Sequence, residues 1–204
     1  MLNILNYPFS VFTVFDECFE TLSKNISQWN TLEAYKDEYR IHFDKFPTEN
    51  EYFLKPIKGG AHVAKAVFFK SKLVENKTIM VTNYSDGWIT LANYLAHNYK
   101  CNHITFYIMN DELIQDDYKC MFVSYKYLKD KERVVSVIWD RKWEFFQKGK
   151  LEKFENAENY NKRKIKERLT SKTLIDYCTI LGLDITNNLF WKSDLECLFL
   201  EEIR

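Results

Sequence analysis

The feature that most constrains the fold is a series of strand-like segments in the second half of the chain. From His103 to Met109, the apolar residues Ile104, Phe106 and Ile108 alternate with other side chains, which is the two-residue period of a β-strand. Further segments rich in β-branched and aromatic residues follow at Cys120–Tyr127, Arg133–Trp139 and Trp143–Gln147. Because short polar turns join them, we expect an antiparallel meander.

Other segments predict a hairpin and two helices around this meander. Val63–Phe69 and Thr78–Thr82 have strand character and predict a hairpin. One helix is predicted from apolar residues at helical spacing, with Ser85 or Asp86 as its N-cap: Trp88, Leu91, Ala92, Leu95 and Tyr99. A second begins after Thr170 or Ser171 and ends at Gly182, a residue typical of helix C-caps. The tail from Leu189 to Ile203 is apolar enough to dock on the core.

The N-terminal part predicts a helical segment. Its apolar residues follow a helical period over about four turns: Phe15, Phe19, Leu22, Ile26 and Trp29. The stretch from Phe43 to Gly60 contains Pro47, Pro56 and two glycines, and is predicted to be irregular. Residues 1–60 are therefore a possible N-terminal helical subdomain or arm. We assign the whole chain, residues 1–204, to a single α+β domain: a mostly antiparallel mixed sheet with a central meander and helices on one or both faces.

Composition limits the function classes. Lys plus Arg and Asp plus Glu each number 29, so the net charge is zero, whereas a non-specific nucleic-acid binder needs a basic excess. Only five glycines are present, which disfavours a glycine-rich phosphate loop. The five scattered cysteines are typical of reduced thiols in a cytosolic protein. No signal peptide or bilayer-spanning apolar run is apparent, and we expect a cytoplasmic protein without membrane contact.

Catalytic and metal-binding signatures are weak. The chain has no Gly-x-Ser-x-Gly elbow and no local cysteine signature of a nucleophile. His97, Cys101 and His103 are close in sequence, but the predicted change from helix to strand separates them, so we expect neither a metal nor a cofactor. One enzymatic alternative places Asp140 or Glu144 as an acid or base beside an aromatic pocket. The simpler interpretation is that Asp140 shapes a turn.

A cluster of basic residues provides a second alternative. Asn159–Leu169 predicts a basic helix, with five cations inside the seven-residue stretch Lys162–Arg168. These residues would suit a nucleic-acid-binding accessory protein. They would, however, wrap several faces of a helix, and Glu155, Glu158 and Glu167 can pair with some of them. Nucleic acid is therefore the less favoured partner.

Several short segments together resemble a known group of proteins. They are Asp86–Trp88, Arg133–Val135, Trp143–Gly149, Phe154–Glu155, Tyr160–Leu169 and Ile175–Gly182. Over roughly residues 80–190 the chain resembles small bacterial immunity-type proteins, which are encoded beside polymorphic or contact-dependent toxins. The resemblance implies a non-enzymatic protein that binds and neutralises one cognate toxin.

Aromatic residues at predicted turns are the candidate contact surface. Trp139, Asp140 and Trp143 are the first candidates because one hairpin would present them together, and Asp86 and Trp88 are the second. Tryptophan, tyrosine and arginine supply most of the binding energy in protein interfaces. The competing interpretation of each tryptophan is a residue of the hydrophobic core.

Overall fold

An antiparallel sheet of nine strands is the frame of the fold in the computed structural model, which describes residues 9–31, 38–45, 63–109, 118–129 and 131–203. The strands are β1 (Phe9–Phe15), β2 (Tyr39–Asp44), β3 (Lys65–Phe69), β4 (Thr78–Thr82), β5 (His103–Met109), β6 (Lys119–Lys126), β7 (Lys131–Asp140), β8 (Lys142–Lys148) and β9 (Cys197–Glu202). They are arranged β2-β9-β3-β4-β1-β5-β6-β7-β8. The helices are α1 (Phe19–Ser27), α2 (Ile89–Asn98) and α3 (Ser171–Ile180).

The predicted meander and hairpin are confirmed by the strand register. β5, β6, β7 and β8 are consecutive neighbours, with Phe106 opposite Phe122 and Phe122 opposite Val135. β3 and β4 form the predicted hairpin, with Val67 opposite Val81. The α+β class is correct. The meander forms one end of the sheet and not its centre, which β1 occupies, and every described strand pairing is antiparallel.

Both faces of the sheet are covered by apolar packing. On the first face, Phe12, Phe106 and Phe122 join a large core with α3 and the segments around it, including Tyr177 and Phe190. On the second face, α1 and α2 pack on the half of the sheet around β3, β4 and β9; this core contains Leu22, Ile26, Phe68, Met80, Leu91, Leu95 and Leu198. The helices supply buried stripes, as their apolar spacing predicted.

The predicted four-turn N-terminal helix is not observed as such, and only its later part is helical, as α1 and a 3₁₀ turn at Gln28–Thr31. Its first turn is the end of β1, which lies between β4 and β5, and α1 begins only at Phe19 and is nine residues long. Phe9–Phe15 is rich in β-branched and aromatic residues, which favour a strand. The five apolar residues that suggested a long helix do share one buried cluster, so their common inward side was correctly inferred. β1 and β2 belong to the same sheet as the later strands, and the irregular segment at 46–60 lies outside the described residues.

The predicted basic helix is also wrong. Residues 157–169 form two short 3₁₀ turns, Ala157–Asn161 and Ile165–Glu167, with extended backbone at Lys162 and Lys164. Tyr160, Ile165 and Leu169 pack against the first core, and their spacing does not form a regular helical stripe. The closely spaced cations would also repel one another on a helix. The chain therefore follows the surface of the sheet.

The other two helices are confirmed, but the predicted N-cap of α2, Ser85 or Asp86, is wrong, because the N-cap is Trp88 in a left-handed conformation with φ of +50°. The Asp86 Oδ1 atom accepts a hydrogen bond of 2.8 Å from the Trp88 amide just before α2. Thr170 caps α3 by accepting a bond of 3.2 Å from the Thr173 amide, and Gly182 follows the helix with a left-handed φ of +74°. The tail docks on the core as predicted, but as strand β9 between β2 and β3. None of these helices, in the part of the chain described, has the length and apolar character needed to cross a bilayer.

Candidate functional site

A cleft of about 650 Å³ opens where four strands end on the same side of the sheet. The end of β1, the start of β5, the end of β6 and the start of β7 meet there, because antiparallel pairing places Phe15 opposite His103 and Lys126 opposite Lys131. The segment after β8 and the C-terminal end of α3 close the other side, with residues 150–154 and 180–183 in the wall. We call this site the lysine cleft.

Five lysines line the lysine cleft: Lys77, Lys126, Lys131, Lys150 and Lys153. Lys77 pairs with Asp16 at 2.8 Å, and Lys126 pairs with Glu152; both carboxylates also belong to the lining. The hydrogen bond from Lys77 lowers the pKa of the Asp16 carboxyl, despite the opposing effect of burial. Within the described ranges, the other three lysines are exposed and form no ion pair. They leave positive charge available to a ligand.

Apolar side chains accompany these charges. Ile104, Phe154 and Leu183 belong to the lining, and the last two are buried in the first core. Leu151 and Ile180 flank the opening and are 55% and 65% exposed. One exposed apolar residue is ordinary in a protein surface, but two bordering the same charged cleft form a mixed apolar and cationic surface.

A buried ion pair holds the wall that carries two of the lysines. The Arg133 side chain is 3% exposed and the Glu155 side chain is fully buried, and they are joined at 2.7 Å. Arg133 also donates to the carbonyls of Lys148 and Gly149, at 3.2 Å each. Glu155 accepts a 2.6 Å bond from the Glu152 amide. The backbone that presents Lys150 and Lys153 is therefore fixed to β7 at both of its ends.

Two tyrosines extend this network into the core. The Tyr160 hydroxyl donates to Glu155 at 2.6 Å and lies 3.2 Å from the Tyr177 hydroxyl. Burial raises the pKa of Tyr160, and its bond to the Glu155 carboxylate raises it further. Although burial alone would lower the pKa of Arg133, the hydrogen bond and charge of Glu155 raise it. The network is polar but internally satisfied, which is the condition for such a group to stabilise a core.

The cleft does not assemble a nucleophile with a base among the described residues. Ser124 lies opposite Ile104 in the register, whereas His103 lies opposite Tyr125, so the two side chains project to opposite faces of the sheet. The His103 Nε2 atom is 2.8 Å from the Asn93 Oδ1 atom. Burial lowers the pKa of His103 to about 4, which keeps the ring neutral at physiological pH. The arrangement offers charge and apolar surface for binding.

The aromatic hairpin predicted as the first contact surface is partly exposed. Trp139 and Trp143 lie opposite each other on β7 and β8, with ring centroids 5.3 Å apart. Trp143 packs on Tyr118 at 5.1 Å and is half-buried, whereas Trp139 is exposed. Asp140 is exposed at the turn, so the desolvation by two indoles that the enzymatic alternative requires is not observed there.

The second predicted surface lies elsewhere. Trp88 is half-buried against the second core and stacks on Tyr84 at 5.8 Å, and Asp86 is exposed beside it. Trp143 packs against the first core on the opposite face of the sheet. The structure therefore does not bring the two predicted groups together, and neither contributes a residue to the lysine cleft.

The candidate metal ligands do not converge in the described residues. His97 is exposed and its ring centroid lies 6.0 Å from that of Tyr127, while Cys101 and His103 are buried. No group of three or more histidine, cysteine or acidic side chains in the described ranges has a metal-binding arrangement. All five cysteines are unpaired thiols.

The lysine cleft could not be recognised in the sequence because its residues come from distant segments. Lys77 follows the β3–β4 turn, Lys126 and Lys131 flank the β6–β7 connection, and Lys150 and Lys153 follow β8. The available signal was the run Lys148–Lys153, which contains three lysines directly after a predicted strand.

Comparison with protein-family models, curated proteins and solved structures found no match. The resemblance to immunity-type proteins stays a prediction.

Proposed function

We propose that this chain is a non-enzymatic protein-binding module that holds an acidic, partly apolar segment of a partner protein in the lysine cleft. The observation that carries the proposal is that Lys131, Lys150 and Lys153 are exposed, with no ion pair to any other described residue, beside exposed Leu151 and Ile180. Carboxylates of a partner would pair with the lysines, and its apolar side chains would cover the two aliphatic residues.

The fixed wall of the cleft favours binding without a large ordering cost. Arg133 and Glu155 hold the backbone on both sides of Lys150 and Lys153 before any partner arrives. A surface that is already ordered loses less conformational freedom on binding, and more of the interaction energy appears as affinity.

A protein partner fits the cleft better than a nucleic acid does. The carboxylates of Asp16, Glu132 and Glu152 separate the lysines of the cleft from one another, so the lining offers individual positive charges for single partner carboxylates and no continuous basic track for a phosphate backbone. The net charge of zero provides no long-range attraction for one.

The resemblance found in the sequence narrows the class of partner to a toxin, and the chain would then be an immunity protein that blocks it without turnover. The test is co-expression with the protein encoded by the neighbouring open reading frame, scored by growth and by co-purification. We expect the neighbour to be toxic alone, harmless with this chain, and recovered with it as a complex.

Charge-reversal variants then locate the interface. Lys131→Glu, Lys150→Glu and Lys153→Glu combined should weaken the complex by at least about thirtyfold, the lower end of the effect of losing buried interfacial charge pairs. The matched control is Lys162→Glu, Lys164→Glu and Lys166→Glu, which makes the same charge change at exposed positions away from the cleft. The predicted hairpin surface is tested in parallel with Trp139→Ala.

Each result has a definite meaning. Loss of binding only in the cleft variant supports the proposal, and loss only in Trp139→Ala moves the interface to the hairpin. A harmless neighbour, or one that is neither bound nor neutralised, removes the immunity function. Binding of an unrelated DNA duplex, with an affinity that falls steeply as the salt concentration rises, would show that the partner is a nucleic acid and not a protein.

A further inference from the structure

The outer edge of β8 is a second surface that can bind a partner. β8 is the last strand of the sheet, and among the described strands it pairs only with β7. Along its other side, an edge strand presents backbone N–H and C=O groups that a further strand can satisfy.

The side chains of β8 form an alternating pattern on the second face of the sheet. Lys142, Glu144, Phe146 and Lys148 point to this face, and their side chains are 77%, 56%, 53% and 63% exposed. Phe146 thus stands between an acidic and a basic residue, each two positions away. A strand with this order of charges is complementary to an antiparallel copy of itself.

We propose that β8 pairs antiparallel with β8 of a second copy of this chain, about a two-fold axis at Phe146. Glu144 then lies opposite Lys148 of the partner subunit, and Lys148 lies opposite Glu144 of the partner subunit. The two Phe146 rings face each other across the axis. Opposite charges and aromatic rings at directly opposed positions both stabilise a strand pair. The interface is isologous, so it closes at a dimer.

The charges of β8 discriminate against the other registers of the same strand pair. An axis at Phe145 places Lys142 opposite Lys148 of the partner subunit, and an axis at Glu144 places two Glu144 carboxylates opposite each other. Axes at Trp143 or Gln147 avoid like charges but overlap only three residues of β8, whereas the axis at Phe146 overlaps five. Lysines at edge positions are a common device against unspecific edge pairing, and here they leave one extended register.

The pairing of β8 is independent of the lysine cleft, because no residue of β8 belongs to the cleft lining. It concerns a second copy and not a foreign strand, since the acidic and basic residues are placed symmetrically about one aromatic residue. A foreign strand would require no such self-complementarity.

The test is sedimentation velocity of the full chain over a wide range of protein concentration. We expect a monomer–dimer equilibrium. Glu144→Lys and Lys148→Glu each convert two attractive cross-strand pairs into repulsive ones and should each raise the dimer dissociation constant at least about tenfold. An equimolar mixture of the two variants restores both pairs and should form a heterodimer, and the double variant should dimerise like the wild type.

Two further variants complete the design. Glu158→Lys makes the same charge change on an exposed 3₁₀ turn outside β8 and should leave the dissociation constant unchanged. Phe146→Cys should give a covalent dimer under mild oxidation, because residues on the axis are directly opposed, while Lys142→Cys should not. Far-UV circular dichroism confirms that each variant is folded.

Specific outcomes overturn the proposal. They are a wild type that remains monomeric at the highest concentration, oligomers larger than a dimer, and a dimer that Glu144→Lys does not weaken. A mixture of the two single variants that stays monomeric would also refute the register.

Discussion

Replacing Arg133 by methionine should destabilise the fold far more than the loss of an ordinary surface ion pair. The substitution keeps a long apolar side chain but leaves the fully buried Glu155 carboxylate without its counter-charge. The Glu152 amide and the Tyr160 hydroxyl, both at 2.6 Å, would still donate to this carboxylate, but neither carries a positive charge. Removing one partner of a buried pair costs about 3–5 kcal/mol.

The matched comparison is the double replacement Arg133→Met with Glu155→Met. It removes both charges, so no uncompensated carboxylate remains in the core. Lys148 and Gly149, whose carbonyls lose a donor, lie at exposed positions where water can replace it. The double variant should therefore be more stable than the sum of the two single effects predicts, by at least about 2 kcal/mol of coupling energy.

Urea unfolding, followed by tryptophan fluorescence and far-UV circular dichroism, measures both quantities. For a chain of this length, a loss of about 4 kcal/mol corresponds to a fall in Tm of roughly 8–16 °C. Lys126→Met is the control, because it breaks the more exposed pair with Glu152 and should cost less than about 1 kcal/mol. Single variants that each cost as little as this control, or effects that simply add, would refute the assignment of a buried, coupled pair.

Four further predictions concern individual residues. Burial lowers the pKa of His103 to about 4 from its ordinary 6.5, so the stability that the neutral ring contributes is complete above pH 6.5 and is lost as the pH falls toward 4. This loss of stability is about 3 kcal/mol. Urea unfolding at several pH values should show the loss in the wild type and not in His103→Phe. Gly149→Ala should destabilise by about 2 kcal/mol or more in the same assay, because φ is +87° and a Cβ atom would lie 2.3 Å from the Glu132 carbonyl. Gly182→Ala, with φ at +74° and nothing within 4 Å, should cost only about 1 kcal/mol from backbone strain. Thiol labelling of the native protein at pH 8 should modify Cys18 quickly and the other four cysteines slowly, because those four are buried. Burial also raises the pKa of both Cys101 and Cys197 to about 12. Rapid labelling of more than one thiol would contradict this prediction.

The parts of the fold that were predictable from sequence are those in which the pairing is local. β5 alternates in polarity, β6 to β8 are rich in β-branched and aromatic residues, and all four pair with their nearest neighbours along the chain, so residue type and turn spacing were sufficient. β9 pairs with β2 and β3, more than a hundred residues earlier, and Cys197–Leu200 are all buried. A strand buried on both faces has no alternation to detect. Phe15 illustrates the same limit, because its apolar character fitted the period of a helix but its place is a central strand.

The candidate site was less predictable than the fold for a related reason. The sequence shows lysines but not which lysines share a cleft, and the sheet order brings Asp16, which directly follows β1, to the same end of the sheet as the starts of β5 and β7. The tryptophans were easier to identify and harder to interpret, since Trp139 is exposed and Trp143 packs on Tyr118. Composition alone does not distinguish an aromatic side chain that packs in the core from one that contacts a partner.

The buried network connects the two proposed binding surfaces. Arg133 donates to the carbonyls of Lys148, the last residue of β8, and of Gly149, the residue directly before the cleft wall. Gly149 passes so close to the Glu132 backbone that only glycine fits there, so the chain turns sharply from the edge strand into the wall. One guanidinium therefore sets both the direction in which Lys148 meets a second copy and the position of Lys150 in the cleft. The desolvation of a buried charge is difficult to explain by stability alone. A buried ion pair is useful where one rigid turn must position the residues of two binding surfaces, because fixed side chains lose less conformational freedom when a partner binds.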